Sequence, residues 1–324
     1  MSLKTILKVE DLTKHFVVGR SLLSAGEVVK AVDGVSFALM QGETLSLVGE
    51  SGCGKSTTGR LVLRLIPPTR GTVLYQGKDI GKLAPEKMRK LRSEMQIIFQ
   101  DPWSSLNPRM TVKEIIGEGL RRQSGLSRAE RKNRVLEMME TVGLRPEHYH
   151  RHPHEFSGGQ RQRLGIARAL IMRPQLVVAD EPLSALDVSV QAQVVNLLAR
   201  LKREFGLSYL FISHDLAVVE HISDRIAVMY LGKLMELASK RQLFSQPRHP
   251  YTQALFSAAP TTEVGREKNR VILKGDVPSP LNPPAGCRFN TRCPRAREDC
   301  RQLEPEFKLL APGHWAACHH PLGG

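Results

Sequence analysis

Short, β-rich apolar runs alternate with stretches of helical periodicity along most of this 324-residue chain, the pattern of an α/β protein. Residues 7–16 and 26–37 read as two strands around a loop containing the segment from Ser21 to Gly26, and 44–48 as a short buried strand running into Gly49. Residues 56–66 have helical spacing and stop at Pro67 and Pro68, and a turn at 69–71 leads to a strand over 72–75. After a charged segment at 78–94, residues 96–100 predict a further strand. The prolines of the following segment, Asp101 to Pro108, predict a loop, since neither can continue a sheet. Helical spacing returns over 111–142, with Ile115, Ile116, Val135, Leu136, Met138 and Met139 as its apolar positions. Later come an apolar strand at 176–180, a helix over 190–204 and a buried-type strand at 209–213. Beyond Ala258 the composition changes. Four of the seven residues from Pro278 to Pro284 are proline, which predicts a stiff connector, and the tail after it is too small to bury much core without a staple.

Candidate chemistry lies at the ends of these strands. Gly49, Glu50, Ser51, Gly52, Cys53, Gly54, Lys55, Ser56 and Thr57 fit the P-loop pattern G-x-x-x-x-G-K-[ST] in the strand–loop–helix context that it needs. Its glycines let the backbone curl so that successive N–H groups face a phosphate chain; Lys55 would reach the outer phosphates and the Ser56 hydroxyl a Mg²⁺ ion. Ser157, Gly158, Gly159 and Gln160 open a second helix, whose free N–H groups and dipole make another anion site. The strand at 176–180 ends in Asp180 and Glu181, one acid to hold Mg²⁺ and one to orient and deprotonate the attacking water. Gln100 and His214 each stand at the end of a strand, where His214 can donate a hydrogen bond to a γ-phosphate. Phe16, apolar in polar surroundings, could stack on an adenine or pack the strand edge. Cys53, at a helix start beside Lys55, is expected to carry a favoured, reactive thiolate.

The formal net charge of +15 raises nucleic acid or an anionic membrane as partner, but the basic residues are spread along the chain. The one local excess, Arg121, Arg122, Arg128, Arg131, Lys132 and Arg134, adjoins no nucleic-acid module or aromatic series, so a solvated basic face is the expectation and nucleic acid is not. No run reaches the length of a membrane helix, and the N-terminal residues lack a secretory apolar region; a cytoplasmic protein that borrows any membrane role from a partner is predicted. Four of the five cysteines gather near the C-terminus as Cys287-x5-Cys293-x6-Cys300-x17-Cys318. In a reducing compartment that grouping points to metal rather than disulfides, and both Zn²⁺ and an iron–sulfur cluster accept four thiolates, although the close C-x-x-C pairs usual for zinc are missing.

Together, the P-loop, Gln100, Ser157–Gln160, Asp180 with Glu181, the segment from Ser184 to Asp187, and His214 resemble the ordered motif set of an ABC-transporter ATPase over roughly residues 5–240. Phe156 stands where many members have leucine, a change of one apolar residue for another. The resemblance implies an ABC-type nucleotide-binding domain over 5–257 with a helical subdomain at about 101–165, a linker at 258–286 and a four-cysteine module at 287–324. It implies ATP held between the P-loop of one subunit and the Ser-Gly-Gly-Gln of a partner, with Lys55, Gln100, Glu181 and His214 catalytic, Mg²⁺ on Ser56, Gln100 and Asp180, and Phe16 stacked on adenine. The roughly fifty-residue insert is too short for the coiled-coil arms of chromosome-maintenance ATPases, and soluble ABC ATPases of translation or DNA repair usually carry tandem cassettes or long insertions. The segments from Gln100 to Pro108, from Arg248 to Leu255 and from Pro278 to Cys293 resemble dipeptide and oligopeptide permease ATPases, most closely the second ATPase of dipeptide importers. Implied partners are a paralogous ATPase, two permease subunits and a substrate-binding protein, on the cytoplasmic face of the inner membrane. Nickel and glutathione importers use similar subunits and remain alternatives. For the tail the resemblance implies a [4Fe–4S] cluster on Cys287, Cys293, Cys300 and Cys318, with Zn²⁺ as the alternative.

Overall fold

A computed structural model of the chain describes residues 4–19, 26–122, 125–258 and 271–323. It has two compact units, one comprising Leu83–Ile212 and the other Thr5–Lys82 with Ser213–Gly324. The second unit opens with β1 (Thr5–Val18), β2 (Glu27–Met40), β3 (Thr44–Val48), β4 (Arg70–Tyr75) and β5 (Lys78–Asp79). An antiparallel sheet runs in the order β2-β1-β4-β5. In β1, Leu7 and Val9 face inward and Lys8 outward, the alternation of a half-buried strand. A register shift between Val9 and Leu12, with Asp11 at a positive φ of 47°, resets that alternation so that Leu12 and Thr13 both turn inward. Beyond it, β1 and β2 continue as an exposed two-stranded ribbon that pairs Phe16 with Val29.

In the unit Leu83–Ile212, β6 (Met95–Ile98), β7 (Leu176–Asp180) and β8 (Ser208–Ile212) are parallel, with β7 central. Every residue of β7 and β8 is buried, as expected of parallel strands covered on both faces. Parallel neighbours need long crossovers, and the segment from β6 to β7 includes helices Val112–Gly117, Arg128–Thr141 and Gly158–Leu170. The continuous helical stretch expected over 111–142 is therefore interrupted. Two capping boxes explain the two starts: Thr111 with Glu114, and Ser127 with Glu130. Of the basic cluster, Arg128, Lys132 and Arg134 lie on the exposed face of the second helix, opposite buried Val135, Met138 and Met139. The expected loop after Gln100 contains a helical turn, Pro102–Ser105: the Asp101 carboxylate accepts from the N–H groups of Trp103 and Ser104, and Pro102 occupies the first helical position, where its missing N–H costs nothing. Helix Val188–Phe205 leads to β8 through Gly206 in the left-handed conformation.

Returning to the other unit, the chain forms β9 (Arg225–Tyr230), β10 (Lys233–Ser239), β11 (Lys308–Ala311) and β12 (His314–Ala316). β3 lies parallel to β9, which pairs antiparallel with β10; β10 pairs with β12 and β12 with β11. The tail thus adds strands to a sheet and shares its core: Cys287, Phe289 and Cys300 pack in one buried cluster with Val48, Tyr230 and Tyr251. The expectation that the tail buries little was too low, because its apolar partners, from Val48 to Phe256, lie outside the tail, where sequence adjacency gives no hint of them. Among the described residues no helix is long and apolar enough to cross a membrane.

Candidate nucleotide-binding site

The P-loop turns from the end of β3 into helix Lys55–Val62. Gly49 has φ 148°, and a Cβ there would stand 2.2 Å from the carbonyl oxygen of Met229 on β9; at Gly54, φ 105°, a Cβ would stand 2.2 Å from the carbonyl oxygen of Ala31. Only glycine fits either position. The Lys55 side chain is buried and closes the loop on itself, donating from Nζ to the carbonyls of Gly49 (2.8 Å) and Glu50 (3.0 Å). Its ammonium therefore lies across the concavity that the loop forms, held by two neutral carbonyls that an anion could outcompete. Ser51 and Gly52 are exposed, and Ser56 and Thr57 half-buried at the helix start.

Cys53 corrects an expectation. It is 3 % exposed, and burial pushes its thiol above the ordinary range despite Lys55 Nζ, 3.8 Å from its sulfur. Desolvation outweighs the nearby charge, so Cys53 is a packed thiol rather than a reactive thiolate.

Phe16 and His214 belong to the same unit as the P-loop. Phe16 is 38 % exposed on the ribbon, with Lys14 Nζ 5.1 Å from its ring centre, so it presents a face instead of packing a strand edge. His214 is exposed one residue after Ser213, whose N–H donates to the Leu47 carbonyl of β3 and so draws this segment alongside the strand that feeds the P-loop. Asp215 caps the next helix, accepting from the N–H groups of Ala217 and Val218.

The other unit carries Gln100, Asp180, Glu181 and Ser157–Gln160. Pairing of Ile98 with Ala179 aligns the ends of β6 and β7, and Gln100 Nε2 donates to Glu181 Oε2 at 3.0 Å. Asp180 is 2 % exposed, while Glu181 stands at a positive φ of 44°, a conformation that costs a non-glycine residue about 1 kcal/mol or more. Three contacts hold it there: its N–H donates to Ile212 O, and its carbonyl accepts from the Ser184 N–H and hydroxyl. Ser157 caps helix Gly158–Leu170 through a reciprocal pair: its N–H donates to Gln160 Oε1 (3.0 Å), and its hydroxyl accepts from the Gln160 N–H (3.4 Å). A Cβ at Gly159 would come within 2.6 Å of Val190.

Sequence reasoning missed two residues that grip the P-loop from the tail half of its unit. Arg292 donates to the Glu50 carboxylate at 2.7 Å, and the Tyr251 hydroxyl accepts from the Glu50 N–H at 3.0 Å. Both lie in segments that carry the family resemblance, Arg248 to Leu255 and Pro278 to Cys293, but nothing in those segments points to Glu50.

The four tail cysteines are free thiols lining one small cavity with His249, Phe289 and His320; Cys287, Cys300 and Cys318 are buried and Cys293 half-buried. Burial pushes Cys287 up to about 12 and Cys318 up to about 11, so both hold protons unless a metal centre stabilises the thiolates. Among the described residues, Asp299, Cys300 and His320 place ligand atoms within 4.8 Å of one another; no three of the four thiols do. A single tetrahedral Zn²⁺ ion needs sulfurs about 3.8 Å apart, from Zn–S bonds of about 2.3 Å. The four thiols thus line one cavity without three of them converging to the spacing of a single ion.

Comparison with known proteins matches two stretches of the chain. Residues 32–184 match the family model described as ABC transporter, and residues 235–300 the one described as oligopeptide/dipeptide transporter, C-terminal region. The oligopeptide transport ATP-binding protein AppF of Bacillus subtilis (strain 168) is 55 % identical over 321 residues, spanning 98 % of this chain and 97 % of that one. The chain belongs to the ATP-binding proteins of the oligopeptide/dipeptide ABC transporter family. As an ABC ATPase it also resembles the dipeptide transport ATP-binding protein DppF of Escherichia coli (strain K12), 53 % identical over 97 % of this chain and 93 % of that one. Among solved structures, the dimeric ATP-binding cassette MJ0796 in a post-hydrolysis state with ADP and Pi matches with a TM-score of 0.65 and 28 % identity, covering 72 % of this chain and 99 % of that one. The expected α/β cassette fold is thereby established for this ABC ATPase.

Proposed function

We propose that this ABC ATPase powers import of dipeptides or oligopeptides by hydrolysing ATP at the inner face of a membrane transporter. The observation that carries this reading is likeness along nearly the whole chain, tail included, to AppF and DppF, whose names specify oligopeptide and dipeptide transport. Nickel or glutathione import, and a soluble role in translation or repair, have no such observation behind them. ATP binds with its adenine on Phe16 and its phosphates on the N–H groups of Gly49–Thr57, where Lys55 turns from the carbonyls of Gly49 and Glu50 to the outer phosphates. Ser56, Asp180 and Gln100 hold Mg²⁺, which when bound neutralises charge on the phosphates. Glu181 orients the attacking water and accepts its proton, and His214 donates to the γ-phosphate. Gln100 occupies one Glu181 oxygen in the chain alone. Hydrolysis would therefore require Gln100 to release Glu181, leaving the carboxylate for water and the Gln100 amide for Mg²⁺, and this exchange would relay occupancy to the membrane subunits.

The signature Ser157, Gly158, Gly159 and Gln160 completes the site of a paralogous partner ATPase, so activity needs the pair, two permease subunits and a substrate-binding protein. The domain reading remains a nucleotide-binding domain over 5–257 with helical residues at about 101–165, a connector over 258–286 and the four-cysteine tail at 287–324. In that tail Cys287, Cys293, Cys300 and Cys318 hold a [4Fe–4S] cluster, which supplies a covalent staple rather than chemistry. The deciding experiment uses Glu181→Gln in the assembled transporter. ATP binding is retained and hydrolysis falls by about 100-fold or more, the size of a lost general base; hydrolysis at the wild-type rate would show that another group is the base.

A further inference from the structure

Two arginines of the tail, four residues apart, each end on the part of the chain proposed above to receive nucleotide. Arg292 is 9 % exposed and donates to the Glu50 carboxylate of the P-loop, with Tyr230 OH 3.4 Å away. Arg288 is 6 % exposed and donates to Asp33 Oδ2; the other Asp33 oxygen lies 3.1 Å from His15 Nε2, and His15 precedes Phe16. Between them Phe289, fully buried, packs against Tyr230 and Tyr251 with ring centres 5.4 and 5.2 Å away. Tyr251 is the residue whose hydroxyl accepts from the Glu50 N–H. Both the main chain and the side chain of Glu50 are thus held from the tail half of the unit.

Buried charges are costly, and an ion pair seldom returns more stability than apolar residues of the same volume would. These two pairs instead fix geometry. The P-loop is jammed at Gly49 and Gly54, whereas Gly52 has nothing within 4 Å of where a Cβ would stand. Glu50 lies between the rigid and the open part, so its anchors decide how Ser51 and Gly52 present their N–H groups.

We infer that Arg292, with Arg288 beside it, is a positioning residue for nucleotide: the tail holds the P-loop and the Phe16 strand in binding geometry through Glu50 and Asp33, without touching the ligand. This rests on the nucleotide site proposed above. It makes ATP affinity a property of the tail, and the tail's own folding state a determinant of whether the ATPase can load.

The test is the dissociation constant of a fluorescent ATP analogue with Mg²⁺ for the full-length chain, in Arg292→Met, Arg292→Lys, Glu50→Gln and the Arg292→Met/Glu50→Gln double variant. Thermal midpoint is recorded beside it. Arg292→Met is expected to weaken binding about five- to tenfold, a coupling typical of residues in one network. Arg292→Lys recovers most of the loss because the charge is kept, and the double variant binds no worse than Glu50→Gln alone. Binding within twofold of wild type in Arg292→Met, or losses that multiply in the double variant, would overturn the inference. Lys55→Ala separates the two readings: its loss of binding leaves the test valid, whereas wild-type affinity there overturns the P-loop assignment itself and this inference with it.

Discussion

Gly49→Ala and Gly52→Ala each add one methyl group, the first at a position that the P-loop pattern fixes as glycine and the second at one that it leaves open. At Gly49 the added Cβ would stand 2.2 Å from Met229 O and 2.9 Å from Cys53 Sγ. Carbon and carbonyl oxygen normally approach to about 3.3 Å, so the overlap is roughly 1 Å. Met229 cannot yield it, because β9 is held by β3 on one side and β10 on the other, so the loop must move. A displacement of about 1 Å in groups that bind by geometry is worth roughly 100-fold. At Gly52, φ 77°, a Cβ meets nothing within 4 Å, and the cost is the left-handed strain alone, about 1–2 kcal/mol, largely borne by the folded chain with or without ligand. Isothermal titration with ATP and Mg²⁺ on the full-length chain is therefore expected to show Gly49→Ala binding about 100-fold more weakly than wild type and Gly52→Ala within about fivefold. Equal losses at the two positions would refute the steric argument, and with it the view that the contact to β9 sets the shape of the loop.

Cys53 should resist alkylation at neutral pH, reacting more slowly than an exposed cysteine and speeding up only as pH climbs above the ordinary thiol value, because its raised pKa keeps it protonated below that. Iodoacetamide labelling followed by mass spectrometry against pH checks this, and rapid labelling at pH 7 would contradict the burial argument. Protein purified without air should carry about four irons and four acid-labile sulfides per chain, lost in Cys293→Ser. Stoichiometric zinc, or no metal, in the wild-type chain would remove the cluster while leaving the ATPase untouched.

What could be read from sequence divides by how local the cause is. The P-loop, the Ser157–Gln160 cap and the acidic end of β7 are set by residues within a few positions of one another, and each forms as its own chemistry demands. The turn at Pro102–Ser105 is local too: Asp101 followed by proline is a helix start, although the same proline also cannot continue a sheet. Cys53 failed for a different reason. Its helix start and its lysine are visible in sequence, whereas its burial is not, and burial decides the sign of the shift. The contacts of Arg292 and Tyr251 with Glu50 were invisible for the same reason at longer range: they span 242 and 201 residues of chain.

The positions of the candidate groups follow from strand direction. Gly49 follows β3, Gln100 lies two residues past β6, Asp180 ends β7, and His214 lies two residues past β8. Each is thus at the carboxyl end of a strand with parallel neighbours, where the chain leaves the sheet and its side chains are free to face a ligand. A group at such an end is held by main-chain bonds on its strand side only, so every one of them needs a second anchor. Glu181 has Ser184 and Ile212, Gln100 has Glu181, and the P-loop has the tail. Of these anchors, Gln100 with Glu181 is the one made between two candidate catalytic side chains themselves, and so, under the proposed function, the one that ligand binding would break. Under the proposed function that pair is where ATP occupancy would be turned into movement, while the tail contacts, which touch no ligand, would hold the P-loop in shape.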